Sequence, residues 1–267
     1  MTPSERDFFN YRYTRGIVRE VSTEIVGALA ENNTAAEISL ERARHEHERY
    51  IQVLGDLGIE TVVLPADPNL PDGVFVEDTA VILPGLAVIT NPGASTRQGE
   101  VDSVEAALST FIKTRRLGGG GTLDGGDVLR IGNKYFIGIS QRTNIEGAEE
   151  LRTILMERGL TAEFIEFTGA LHLKTLVTPL SPDTIIGAGD VLNHPAITKL
   201  SGLKIIVVPK SEAPAANVLA VNGRVLVPGG FPETLGRIIT AGFDVIDIGN
   251  FEFMKADGGL TCRSVLW

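Results

Sequence analysis

Five polar residues recur at a near-constant interval in this 267-residue chain: Asp78, Asp124, His172, Asn217 and Cys262, in steps of 46, 48, 45 and 45. Two carboxylates, an imidazole and a thiol are the groups needed for nucleophilic attack on a positively charged carbon. The thiolate attacks, the imidazole carries a proton, and the carboxylates hold the charge. Taken singly, each residue has a plain structural account. A lone cysteine is commonly a small buried hydrophobe, and an aspartate ahead of an apolar run is commonly a turn or cap residue. Recurrence in phase is what argues for one shared site. Asp127 fits the series about as well as Asp124, with steps of 49 and 45, so spacing leaves both open as the second carboxylate. Asn217 takes the fourth position without evident chemistry and reads as a structural hydrogen-bonding residue.

The elements that must carry these residues repeat with them. FVEDTAVILPGLAVITNPG, LDGGDVLRIGNKYFIGIS, HLKTLVTPLSPDTIIGAG, NVLAVNGRVLVPGG and CRSVLW share one plan: a polar residue opens a strand, a turn follows, and a second strand ends in glycine. The fifth copy stops after its first strand. Helix-period segments QGEVDSVEAALSTFIKT, NIEGAEELRTILMERG and PETLGRIITAG separate copies and lead to the β-branched runs AEFIEF, KIIVVP and DVIDIG. A unit of strand, strand, helix, strand cannot bury its own apolar face, so neighbours must stack. The expected fold is α/β, with five ββαβ units closing into a ring as one domain over residues 1–267. The N-terminal RYTRGIVREV completes the last unit, as propellers close by pairing chain ends. Equivalent positions then face the axis, where Asp78, Asp124, His172 and Cys262 converge.

Composition narrows the partners. With 43% hydrophobic and 22% charged residues the chain can build a sizeable core. A net charge of −10 argues against a nucleic-acid surface and favours a cationic small molecule. One cysteine makes no internal disulfide, the opening MTPSERDFFNYRYTR lacks a signal-type apolar run, and no stretch approaches about 18 consecutive apolar residues. The expectation is a cytoplasmic protein without membrane contact. A closed ring leaves few free strand edges, so a monomer or homodimer is expected. GGGGT at 118–122 lacks the lysine of a phosphate loop and reads as a turn. His47 falls in step with Leu40, Ala43, Tyr50 and Leu54 on an amphipathic helix, which assigns it to packing; His45, two residues away, does not share its face as a metal partner would.

FVEDTAV, LDGGDVL, LHLKT and DGGLTCRSVL resemble the signature stretches of the dimethylarginine dimethylaminohydrolases, guanidine-modifying enzymes whose fold is a five-bladed α/β propeller, the pentein fold. The similarity runs from LPADPNLPDGVFVED to the C-terminus. It implies Cys262 as nucleophile, His172 as general acid and base, and Asp124, rather than Asp127, as the carboxylate completing the triad. It implies Glu77 and Asp78 as the acidic pair lining a guanidinium pocket. Asp72, Asp257 and the backbone at Ala256 surround the substrate's α-amino end, and Arg97 and Arg142 grip its α-carboxylate. A lid, EIVGALAENNTAAE, brings Leu29 to the ligand, and pocket volume near Phe75 bears on selectivity.

The implied reaction hydrolyses Nω-methylated arginines to citrulline and an amine through a covalent Cys262 intermediate, with no metal or organic cofactor. Carboxylates are natural acceptors for the planar, N–H-rich guanidinium. At an ordinary pKa of about 8.5 Cys262 would be only a few per cent thiolate, so it needs a positive neighbour, either the His172 imidazolium or the bound substrate. Arginine deiminases share the ring, thiol and imidazole but read HLD where this chain reads HLKT. Amidinotransferases are longer again. An arginine-binding protein without turnover would keep the ring and lose the chemistry, and none of the reacting groups is missing here.

Overall fold

The computed structural model describes residues 2–31, 34–188, 200 and 202–267. The strands are β1 (Arg15–Arg19), β2 (Glu60–Leu64), β3 (Ala80–Leu83), β4 (Leu86–Ile89), β5 (Lys113–Arg116), β6 (Val128–Ile131), β7 (Lys134–Ile139), β8 (Thr161–Glu166), β9 (Val177–Ser181), β10 (Thr184–Ala188), β11 (Lys204–Val208), β12 (Leu219–Val221), β13 (Arg224–Pro228), β14 (Val245–Ile248) and β15 (Val265–Leu266). They form five three-stranded sheets of one design, in which an inner strand pairs antiparallel with a middle strand and the middle pairs parallel with an outer one.

The local chemistry dictates that design. Inner and middle strands are joined by tight turns, and Asn222–Gly223 between β12 and β13 has φ of 49° and 81°, the double positive φ of a hairpin turn whose twist matches its strands. A parallel partner demands a crossover, supplied by helices such as Val101–Leu108, Ile145–Glu157 and Pro232–Thr240. Ile145–Glu157 shows why the crossover packs. Asn144 caps its first turn, and Ala148, Leu151, Ile154 and Leu155 form a buried stripe against Leu83, Val88 and Ile137. The crossover expected in the third unit falls on 189–199, outside the described residues.

The ring closes as the sequence suggests. β15 pairs antiparallel with β1 (Ile17↔Val265), and β1 runs parallel to β2, so the two chain ends build one sheet. A Cβ at Gly16 would lie 2.7 Å from Leu266 Cδ2, so a side chain there would push the Leu266 tip aside. Among the described residues no helix is long and apolar enough to cross a membrane. His47 lies in the helix Leu40–Asp56 with its ring stacked on Tyr50 at 6.2 Å, and burial lowers its pKa to about 3. It packs as a neutral ring, while His45 is exposed.

One detail departs from the sequence reading. The periodic residues do not open the inner strands; they sit on short helical turns just before them. Asp78 lies within Val76–Thr79, Asp124 and His172 directly precede Gly125–Asp127 and Leu173–Leu176, and Cys262 lies within Thr261–Arg263. Such turns leave backbone N–H groups unpaired, and the ring uses them to bind unit to unit. Gly126 N donates to Asp78 Oδ1 at 2.8 Å, and Leu173 N donates to Asp127 Oδ1 at 2.9 Å.

Candidate active site

Convergence on the axis is observed. Asp78, Asp124 and His172 each bring a ligand-type atom within 4.8 Å of the others, and His172 and Asp78 share a pocket with Cys262. His172 Nε2 lies 2.9 Å from Asp124 Oδ2 and 3.8 Å from Asp78 Oδ1. Asp124 and Asp127 differ in what their oxygens do. Asp124 is fully buried behind His172, and its other oxygen accepts Gly93 N at 2.8 Å. Asp127 is occupied with backbone and side-chain donors, Leu173 N and Ser140 Oγ (2.6 Å), and holds the His172 turn in place. Burial raises its pKa to about 6.

Electrostatics sort the remaining groups. Burial alone would lower the pKa of His172, but the Asp78 charge and the Asp124 hydrogen bond outweigh it and hold the imidazole at about 9. Burial alone would raise Asp78, yet His172 and Arg97 bring it down to about 2. The two therefore form an ion pair at neutral pH. Burial, then the charges of Glu77 and Asp78, push the Cys262 thiol well above its ordinary range. Cys262 Sγ accepts one hydrogen bond, from Gly259 N at 3.3 Å.

Leu29, Asp72, Phe75, Arg97, Arg142, Ala256 and Asp257 line the same pocket, joined by Leu171 and Gly258. Two sequence expectations change in detail. Glu77 does not line this pocket: its Oε1 receives Lys174 Nζ at 2.6 Å and its Oε2 receives Thr261 Oγ1 at 2.7 Å, on the far side of the turn from Asp78. Arg97 lines it with a guanidinium already committed. Its N–H groups reach Asp78 Oδ2 (2.5 Å), Phe75 O (2.8 Å) and both oxygens of Glu100 (2.9 and 2.8 Å), so four of five donors are taken. The Arg142 guanidinium makes no ion pair or side-chain hydrogen bond among the described residues.

Two backbone hydrogen bonds tie the segment expected as a lid to the pocket wall. Leu29 N donates to Asp72 Oδ1 at 3.0 Å and Glu31 N to Asp257 Oδ2 at 2.7 Å; residues 32 and 33 lie outside the described residues. The space left is about 20 Å³, room for one or two waters by the usual measure of about 10–15 Å³ each.

The glycines of ADGGLTC serve close approach more than turning. Asp257 takes the positive φ, 54°, whereas a Cβ at Gly258 would lie 2.3 Å from the Phe75 ring and one at Gly259 2.2 Å from Asn217 Cγ. Asn217 is the hydrogen-bonding residue expected. Its amide joins Lys174 O (3.0 Å), Thr261 N (3.0 Å) and Thr261 Oγ1 (3.1 Å), pinning the Cys262 turn to its neighbour. Lys174, Thr261 and Glu100 went unassigned in the sequence, although lysine two after His172 and the Arg97–Glu100 spacing were visible. Gly126 gives a direct test of geometry: a Cβ there would lie 2.7 Å from His172 Nδ1 and 2.8 Å from Asp78 Oδ1. Gly126→Ala is expected to lower activity by about 10²-fold with the melting temperature changed by only a few degrees, as angstrom-scale misplacement does. Steady-state rates and a thermal melt check it, and wild-type rates in the variant would remove His172 and Asp78 from the site.

Comparison with known proteins agrees with the geometry. The arginine deiminase family model matches residues 70–219. The N(G),N(G)-dimethylarginine dimethylaminohydrolase of Pseudomonas aeruginosa is 36% identical over 226 residues, covering 84% of this chain and 88% of the relative. That of Streptomyces coelicolor is 32% identical over 255 residues, covering 94% and 96%. The solved structure of a cysteine-to-serine mutant of the Pseudomonas aeruginosa enzyme, complexed with citrulline, matches at a TM-score of 0.91 and 32% identity, covering 96% of this chain and 100% of that one. The N-terminal domain of a cyanobacterial arginine dihydrolase, 19% identical at a TM-score of 0.84, shares the fold. With its five-unit ring, its axial thiol and imidazole, and these relatives, the chain belongs to the dimethylarginine dimethylaminohydrolase family of pentein-fold enzymes.

Proposed function

We propose that this protein hydrolyses Nω-methylated arginines to citrulline and di- or monomethylamine. The observation that carries the reading is the buried His172–Asp78 ion pair, braced by Asp124 and Arg97, in one pocket with Cys262. The named activity of the relatives and the citrulline bound in one of them support it.

In the mechanism, the substrate guanidinium docks on Asp78 and stands beside Cys262. Its positive charge offsets the carboxylates that hold the thiol protonated, so the thiol proton leaves to solvent and the thiolate attacks the guanidinium carbon. The imidazolium of His172 then gives its proton to the departing dimethylamine, leaving an S-alkylthiouronium on Cys262. Neutral His172 takes a proton from water as that water attacks the same carbon; the C–S bond then breaks, the remaining hydroxyl proton passes to the departing sulfur to restore the Cys262 thiol, and citrulline leaves. Asp124 keeps the His172 ring oriented through Nε2. Arg142 is the principal partner of the substrate's α-carboxylate, and Arg97 holds Asp78 while offering its one remaining N–H. Asp72 and Asp257 exchange lid amides for the substrate ammonium, with Ala256 backbone, Leu29 and Phe75 closing around it. A thiol nucleophile suits a reducing compartment, and the closed ring suits a single-domain monomer or homodimer, so we place the enzyme in the cytoplasm in that form.

The test is to incubate the purified protein with arginine and its mono- and dimethylated forms, measuring citrulline and each amine separately. Dimethylamine with equimolar citrulline is expected. Ammonia from arginine as dominant product would replace this reading with deimination, and binding without product would replace it with a non-enzymatic role.

A further inference from the structure

Behind the reacting groups the ring axis holds a second, larger cavity of about 140 Å³. All five inner strands wall it, through Ile82, Leu129, Pro179, Ala220 and Leu266 among others. At one end the Lys174–Glu77–Thr261 cluster separates it from the Cys262 pocket. At the other, near the β6–β7 turn, stand Arg130 and Tyr135 with the aromatic rings of Phe8, Tyr11 and Tyr13. The reaction proposed above uses neither Arg130 nor Tyr135.

Arg130 is an unusual cation. Its guanidinium lies over the rings of Phe8 (4.2 Å) and Tyr11 (4.6 Å), and among the described residues no carboxylate pairs with it. Two of its five N–H donors are used, by Gly132 O (3.3 Å) and Tyr13 Oη (2.6 Å). Stacking on aromatic faces offsets part of the desolvation of the charge but supplies no acceptor for the remaining N–H groups. Tyr135 is the cross-strand partner of Arg130, on the same face of the β6–β7 pair, and is 1% exposed. Its hydroxyl has no hydrogen-bond partner. A buried donor left unpaired is costly, and the Tyr135 hydroxyl is one, on the cavity wall beside a half-buried guanidinium with N–H groups to spare.

We infer that this axial cavity is a binding site for a small monocarboxylate with an apolar body. The carboxylate accepts from the free N–H groups of Arg130 and from Tyr135 Oη, a paired arrangement that guanidinium geometry favours. The strand side chains enclose the apolar part. Size points the same way, since a dry cavity of about 150 Å³ accommodates benzene. A single negative charge is specified because the other cation on the cavity wall, Lys174, is already neutralised by Glu77.

Benzoate is the probe, with benzamide as its neutral counterpart, titrated calorimetrically into the full-length protein. Saturable one-to-one binding of benzoate is expected, with benzamide at least about tenfold weaker. Arg130→Gln should weaken benzoate at least about tenfold and Tyr135→Phe about threefold, whereas Arg142→Gln, in the other pocket, should leave it unchanged. Absence of saturable binding, equal binding of benzamide, or loss in Arg142→Gln with retention in Tyr135→Phe would each overturn the assignment. Should Arg130→Gln fail to fold, the wild-type comparison of the two probes and Tyr135→Phe decide the matter. The outcome is independent of whether methylarginines are substrates.

Discussion

Cys262→Ser protein is expected to bind dimethylarginine within about threefold of wild type and to turn it over at least about 10⁴-fold more slowly, as loss of a covalent nucleophile does. Burial and the Glu77 and Asp78 charges hold the thiol protonated, and in the proposed mechanism the substrate guanidinium offsets those charges. A thiol responds to the offset because its ordinary pKa lies near 8.5; a serine hydroxyl is too weak an acid to do so. His172 cannot substitute as the base, because at about 9 it is already protonated at neutral pH. Ground-state contacts are untouched by the exchange: Asp78 stays fixed by Arg97 and Gly126 N, and the sulfur's own hydrogen bond is to Gly259 N, not to a group assigned to the substrate. Single-turnover citrulline formation and calorimetric binding measure the two halves. Activity within tenfold of wild type would remove the covalent step, and loss of binding together with turnover would make Cys262 a packing residue.

How much of this was legible in the sequence follows from what each signal encodes. The ring was legible because its period is carried by turn glycines and β-branched runs, which are local, and because a repeat that cannot bury itself has to stack. The meeting of Asp78, His172 and Cys262 followed from phase alone. Assigning Asp124 over Asp127 did not, since both keep phase; it rests on which carboxylate faces the imidazole and which faces Leu173 N, a matter of three residues of helical turn. Glu77 and Asp78 illustrate the same limit. Neighbours in sequence, they point to opposite sides of the Val76–Thr79 turn, one toward Lys174 and one toward His172. The partners of Arg97 were hidden for a further reason: Asp78 and Phe75 lie 19 and 22 residues away, and nothing in spacing says that a guanidinium will be taken up by its own protein.

Asp78→Asn tests the ion pair at the centre of the site. Without the Asp78 charge, His172 loses the strongest influence holding its proton, and its pKa falls from about 9 toward the ordinary imidazole value of about 6.5, with the Asp124 bond retained. If the imidazolium is the acid that releases the amine, activity is lost as pH rises through the His172 pKa. The alkaline limb of kcat/KM should therefore move down by at least about one pH unit in the variant. Activity at neutral pH should fall by about 10²–10³-fold, since the guanidinium also loses its carboxylate. Stability carries an independent signature. His172 is raised in the folded state, so its contribution is full below about pH 6.5 and is lost as pH rises through about 9; Asp78 is depressed, so its contribution is present above about pH 3.8 and is lost as pH falls through about 2. The melting-temperature gap between wild type and Asp78→Asn is thus widest between about pH 4 and 6.5 and narrows toward pH 10. A shift of this size in one imidazole corresponds to about 3 kcal/mol, or about 5–10 °C for a chain of this length. Asp78 also raises Cys262, Asp72 and Glu100, so the stability gap carries their titrations as well, and the alkaline limb of kcat/KM is the readout that isolates His172. An alkaline limb that does not move would show that Asp78 is not what keeps His172 charged.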